Sequence, residues 1–492
     1  MRSLRASLAA GPTTGRCYDP AVSPAEPDPR QSFALRGRAA PIVLGDEGVH
    51  HPSTPGGRGH GYSRYADLTH VTLTGRSLWI ATRRRTTAIF RSLFVDPDGS
   101  ARLTRALLER VAMLPDGAAR VGRMGELDRM AREPHPAVAT WALTGLCAVV
   151  YALQLVFGVD LYEVGYSSRA LVADGDWWRL LTAGLLHGFP LHLATNLVGL
   201  VFFGRLVERA LGTPRVLAVM GISQVVSMAT AALAHDGGVV GVSGVVAGLV
   251  GALLYMEMRL GSDLPAWWRL PRWLFLLLVG VILLQGLLDR LLPIIAAEAH
   301  LGGFAAGFTT VAFLMRSHRV HEATGAPLRA AAAVVCLAML AAVGAAAGSL
   351  LATGDFRARH SARLARLPGI SFDELNNHAW MIATDPESTG EQLEAALSLA
   401  ERAVRETRRR DATLLDTLAE VQFQLGRGDL ALLTIDEALG LSRDARLSAY
   451  LQEQRHRFTG ERDPDDRPPD PGLPGPDDGV GPLPSDDDGI RV

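Results

Sequence analysis

Seven apolar runs occupy the middle of the chain, at about 137–159, 192–210, 214–234, 241–258, 273–289, 297–315 and 329–352. Each approaches the ~20 residues that a helix needs to cross a hydrocarbon core of roughly 30 Å, so the pattern predicts a mostly α, polytopic bundle of transmembrane helices. The pattern before them is different. Pro41–Leu44, Leu68–Leu73 and Leu78–Thr82 are short runs enriched in β-branched residues, and Ala101–Leu114 carries apolar residues at helical spacing after an Asp-Pro-Asp-Gly turn. A few strands followed by one helix predict a small α+β domain over 35–133.

Beyond the last run, residues 370–458 are amphipathic and contain no stretch of membrane length. Trp380, Ala396, Ala400, Ala403 and Val404 recur 35 residues later as Leu415, Ala431, Ile435, Ala438 and Leu439. Small residues at those offsets let the helices of a hairpin close on each other, and the period is near the roughly 34 of tetratricopeptide repeats. A helical-repeat domain is expected there, with an ordinary Ala-rich hairpin as the plainer reading. Residues 1–34 and the Asp-, Pro- and Gly-rich 461–492 lack hydrophobic periodicity, so both read as disordered segments.

Composition agrees with a membrane protein, because 48% of the 492 residues are hydrophobic, too many for an ordinary soluble domain of this length. All 49 basic residues are Arg against a formal net charge of −2, a balance that implies no nucleic-acid partner. Cys17, Cys147 and Cys336 lie too far apart for a disulfide framework or a zinc site. The first twenty residues hold no continuous apolar core, so insertion is expected to rely on the internal spans.

Arg residues cluster before the first run (Arg83 to Arg85, Arg120, Arg123, Arg129, Arg132) and around the second, fourth and sixth turns (Arg205, Arg209, Arg215; Arg259, Arg269, Arg272; Arg316, Arg319, Arg329). The intervening loops carry Asp160, Glu163, Asp174, Asp176, Asp236, Asp289 and Glu298. Positive charge stays inside, so the N terminus is expected in the cytoplasm, and the Arg-only, Ala- and Gly-rich composition points to a bacterial plasma membrane. Six crossings return the chain inside, and 329–352 predicts a seventh that sends the repeats outward, where they would dock a protein partner. Arg357, Arg359, Arg363 and Arg366 directly after that run argue the other way.

Polar groups inside apolar runs are costly in lipid, so they are the first candidates for chemistry. Gly241-Val-Ser243-Gly244 opens the fourth run, with Gly248 and Gly251 beyond it. Small neighbours let another backbone approach the hydroxyl, and a Ser at a helix start leaves backbone N–H groups free for a developing oxyanion. Such a motif is also common as simple close packing of membrane helices. Ala299-His300-Leu-Gly-Gly303 and Gly307 open the sixth run, where His300 is either a structural hydrogen-bond partner or a base. His192 and Asn196, four apart at the start of the second run, project from one helix face as paired donors. No carboxylate or Cys stands at ligand spacing beside His187, His192 or His300, so neither metal nor another cofactor is expected.

Taken together over 137–316, these motifs resemble the rhomboid family: Trp178-Arg179, His192-xxx-Asn196, Gly204 with Glu208 and Gly212, Gly241-x-Ser243-Gly244, and Ala299-His300-xx-Gly303, in that order. The resemblance implies a six-helix protease core plus the seventh span at 329–352, and a Ser/His dyad without an acidic third member. Ser243 would be the nucleophile, His300 the general base, and His192 and Asn196 the oxyanion donors. Transmembrane proteins within the lipid bilayer would be cut near its external face. Trp178 and Arg179 would belong structurally to the long first external loop. Many rhomboids carry an aromatic residue one turn after the nucleophile, where this chain has Ala247. The alternatives are an inactive rhomboid-like protein that binds transmembrane clients and, less well matched to these motifs, a transporter or channel.

Overall fold

The computed structural model describes residues 31–461 except 38, 235–236, 271, 289–295 and 316–323, together with Ile490 and Arg491. Nearly all of the two predicted disordered segments, and Asp236, Asp289, Arg316 and Arg319, lie outside the described residues. The chain divides into two compact units, Met1–Arg132 with Pro265–Trp267, and Glu133–Leu264 with Trp268–Val492.

In the first unit, β1 (Ser32–Phe33), β2 (Ile42–Leu44), β3 (Gly48–His51) and β4 (Gly61–Arg64) form one antiparallel meander. A second meander comprises β5 (Leu68–Leu73), β6 (Ser77–Thr82) and β7 (Thr86–Phe90), followed by α1 (Gly99–Ala112) and α2 (Gly117–Arg132). Ile42, Leu44, Leu78, Ile80, Leu103 and Leu107 are buried in its core. The expected strands and helix correspond to β2, β5, β6 and α1. Strands β3 and β4 escape the sequence pattern because Gly-Val-His-His and Gly-Tyr-Ser-Arg are half polar. Helix α2 escapes it because only Met124, Leu127 and Ala131 make an apolar stripe among its arginines.

In the second unit every predicted apolar run is a helix. α3 (Val138–Phe157) leads into a loop holding α4 (Val159–Gly165), α5 (Arg169–Ala173) and α6 (Arg179–Thr182). Then come α7 (Pro190–Leu211), α8 (Thr213–Ala234), α9 (Ser243–Tyr255, continued by a π turn at Met256–Leu260), α10 (Arg272–Leu288), α11 (Ala297–Leu314) and α12 (Ala326–Leu350). By length and composition α3, α7, α8, α9 with its continuation, and α12 can each cross a membrane. Helices α10 and α11 have 17 and 18 residues. Leu155, Val156, Leu276, Phe313 and Leu340 stand exposed on the bundle, as lipid-facing side chains must.

Glu208 fixes the first helix to the second. Its carboxylate accepts from the backbone N–H groups of Ala139 and Thr140 at 3.0 and 2.9 Å, from the Thr140 hydroxyl at 2.7 Å and from the Thr213 hydroxyl at 2.7 Å. An anion at a helix N-terminus spends donors that the helix cannot satisfy itself. A Cβ at Gly204 would meet the Thr140 side chain at 2.8 Å, so only Gly lets α3 lie this close.

The C-terminal helices are α13 (Phe356–Leu364), α14 (Phe372–Thr384), α15 (Gly390–Glu406), α16 (Ala412–Gln424), α17 (Gly428–Leu441) and α18 (Ala445–Phe458). α14 pairs with α15, and α16 with α17. Ala396, Ala400 and Ala403 are fully buried in α15, as are Ala431, Ile435 and Ala438 in α17, so the 35-residue offset holds between these second helices. The first helices start at Phe372 and Ala412, 40 residues apart. Leu375 and Ala379 therefore correspond to Leu415 and Ala419, all four fully buried, and Trp380 is not the counterpart of Leu415. The connection after α14 is two residues longer than that after α16, and α15, with 17 residues against the 14 of α17, starts three residues earlier relative to its buried face; together these shift the register by five.

Candidate active site

The site is assembled where α9 and α11 meet at their first turns. Glycines set the distance between them: a Cβ on Gly303 or Gly307 would strike the carbonyl of Gly244 or Gly248, and one on Gly251 would strike that of Phe304. On the other side of α9, Gly244 and Gly248 leave room for Ser227 and Ser223 of α8. Three helices thus pack at backbone separation, as small residues allow in membranes. The contact brings the Ser243 hydroxyl and His300 Nε2 to 2.7 Å, within the reach that a nucleophile and its base require.

Approach to Ser243 is set by the preceding residues. Gly241 has φ of +114°, a conformation that L side chains rarely adopt, and its N–H donates to the Ala183 carbonyl at 2.8 Å. A Cβ there would also sit 2.7 Å from the His192 ring. Gly241 is therefore required both by its backbone and by the imidazole against it.

Pro190 begins α7, where its missing N–H costs nothing and its fixed φ suits the first turn. From that start His192 and Asn196 fall on the inner face and are buried, while Leu191, Val198 and Phe202 of the same helix point outward and are at least half exposed. Among the described residues neither ring nitrogen of His192 nor Nδ2 of Asn196 has a hydrogen-bond partner. The same holds for both ring nitrogens of His187. His187 lies next to this pair, its ring centroid 5.0 Å from that of His192.

Ala247, one turn into α9, packs with Val250 and Ile282 in an apolar cluster that also includes Phe203 and Phe304. Trp178 and Arg179, expected to belong structurally to the loop before α7, make contacts that the sequence does not show. Arg179 is fully buried; it donates to Asp176 at 2.8 Å and to the carbonyls of Glu163 and Tyr166 at 2.7 and 2.8 Å. The Trp178 indole N–H donates to the Val164 carbonyl at 3.3 Å. The acidic residues of this loop had signalled topology only, and nothing in their spacing shows that one guanidinium gathers the loop.

Apolar helices around a half-buried hydroxyl and a buried imidazole and amide define the class: an integral membrane protein whose polar site lies inside a helix bundle. The rhomboid domain matches residues 174–317, so the chain carries a rhomboid-family domain. It is 33% identical over 153 residues to RHOMBOID-like protein 5 of Arabidopsis thaliana, covering 30% of this chain and 47% of that protein. It is 30% identical over 159 residues to Rhomboid protease GluP of Bacillus subtilis, covering 31% and 29% of the two chains. With Rhomboid protease GlpG of Haemophilus influenzae the identity is 28% over 171 residues, covering 34% of this chain and 86% of that one. The matches thus span less than half of the first two relatives.

Proposed function

We propose that the protein is an intramembrane serine endopeptidase that cuts transmembrane segments of other proteins near the external membrane face. The observation that carries this reading is the 2.7 Å contact between Ser243 Oγ and His300 Nε2 inside the bundle. Ser243 Oγ attacks the scissile carbonyl while His300 takes its proton and then delivers it to the leaving amine; a water activated by the same imidazole releases the acyl-enzyme. His192, Asn196 and the Ser243 backbone N–H receive the oxyanion, and the unspent donors of the first two support that role. Removing one such donor costs on the order of 10²–10³ in turnover. Accordingly, His192→Ala and Asn196→Ala should each lower kcat by that factor with KM little changed, measured on a fluorescent transmembrane reporter.

A second reading is an inactive rhomboid-like protein that holds transmembrane clients, favoured by Ala247 standing one turn after Ser243, where many rhomboids carry an aromatic residue. Purified wild-type protein and Ser243→Ala, each mixed with the reporter, separate the two. Cleavage by wild type alone supports the protease; capture of uncut reporter by both supports the client-binding protein.

For topology we propose a cytoplasmic N terminus in a bacterial plasma membrane, six core spans, α12 as a seventh, and the C-terminal helices on the side where Ser243 opens. The arrangement of α12 supports this, since a Cβ on Gly221 of α8 would meet Val335 and the far end, Ala346 and Leu350, packs with Val164 and Trp178. Two of the four arginines after α12 that argue for the cytoplasm are engaged by acidic side chains: Arg357 by Asp160 of the loop before α7 and by Asp385 at the end of α14, and Arg363 by Asp174 and Asp176 of that loop. We read α14 to α17 as two tetratricopeptide-like hairpins, on the strength of their matched buried faces. Alkaline phosphatase fused after residue 460 should be active; a fusion that is inactive, while a fluorescent fusion at that point glows, overturns the seventh crossing.

A further inference from the structure

We infer that the C-terminal helical domain is a positioning part of the active site, acting through the loop between α3 and α7, with His378 and Glu374 as its positioning residues. The inference rests on the reading of Ser243 as the nucleophile. Its basis is a continuous set of buried contacts. His378 Nδ1 lies 2.8 Å from the Glu163 carboxylate, and the Tyr166 hydroxyl donates to Glu374 at 2.7 Å and lies 3.1 Å from His378 Nε2. Arg179 sits over the Tyr166 ring and shares Asp176 with Arg363 of α13. Glu163, Tyr166, Arg179, Glu374 and His378 are all at least 95% buried.

From Tyr166 the path to the nucleophile is short. The next residue, Ser167, exchanges two backbone hydrogen bonds with Val239, at 3.1 and 2.8 Å. Val240 follows, and its side chain belongs to the same apolar core as Leu364, Leu375 and Leu399 of the C-terminal helices. Gly241, pressed on His192, and then Ser243 complete it. The segment that aims the nucleophile is therefore held on one side by the bundle and on the other by the C-terminal domain.

A tethered appendage would meet this loop through a wet, polar surface. Here the contact is a core with ion pairs inside it, and removing one partner of such a pair strands the other charge. Burial works against a charge on His378, and the adjoining Glu163 carboxylate more than offsets it, holding the imidazole's pKa above its ordinary value. Burial raises that of Glu374. Loss of the domain's contacts thus loosens the loop, and with it residues 239–241, while the glycine contacts between α9 and α11 remain.

Hydrogen exchange on the full chain in detergent tests this, using His378→Ala and the milder Tyr166→Phe, which keeps the ring and removes only the bridging hydroxyl. The amides of Val239 and Gly241 should exchange at least about tenfold faster in both variants, with α8 and α16 unchanged. On the reporter, kcat should fall about tenfold or more with KM altered less than about twofold, the signature of a misplaced catalytic group. Unchanged exchange at 239–241, or an acceleration spread evenly over the unit as in general unfolding, overturns the inference. A wild-type protein that cuts nothing would sink the protease reading, and the exchange pattern would still decide the coupling.

Discussion

His300→Ala should lower reporter cleavage by at least about 10⁴-fold, and Ser243→Ala should do the same, with the protein still folded and inserted. The two side chains meet at 2.7 Å and act as one unit, since the hydroxyl is a poor nucleophile until the imidazole takes its proton. The double variant should consequently be no worse than either single one. Such non-additivity distinguishes a working dyad from two residues that each merely stabilise the bundle, whose effects would add. Turnover measured with the single and double variants at saturating reporter decides between these cases.

Gly303→Val should be nearly as damaging, although it touches no reacting atom. Its branched side chain would have to occupy the position of the Gly244 carbonyl, so α11 must move away from α9 by more than the slack of a hydrogen bond. A displacement on the order of 1 Å in a catalytic pair costs about 10²-fold in rate, and this one is larger. Activity should drop by at least that factor. Gly280→Val, on α10 where an added Cβ meets nothing within 4 Å, is the control and should leave cleavage near the wild-type rate.

Much of this was legible in the sequence, for physical reasons specific to each part. Membrane spans announce themselves because lipid forbids unsatisfied backbone and polar side chains, so seven long apolar runs became seven helices. Ser243, His300, His192 and Asn196 stood out because a hydroxyl, imidazoles and an amide are expensive there and short local spacings fixed their faces. Supporting groups were hidden because they act across the fold. Glu208 stands in the sequence as part of a motif with Gly204 and Gly212, and only the structure puts it under the N-terminus of α3. Arg357 and Arg363 read as topology signals until Asp160, Asp174 and Asp176, close to two hundred residues earlier in the chain, are found beside them. The α14 register is hidden for a different reason, because a longer loop before α15 and an extra turn at its start leave the small-residue pattern of the second helices intact.

The central claim, that His300 activates Ser243 as a nucleophile, is tested most directly by covalent trapping. The purified full chain is treated with a small fluorophosphonate, which phosphonylates an activated serine hydroxyl with loss of fluoride, and the modified peptide is located by mass spectrometry. The account predicts one adduct, on Ser243, absent in His300→Ala and in Ser243→Ala. An unmodified Ser243 in an intact wild-type protein, or an adduct formed equally fast without His300, would contradict it.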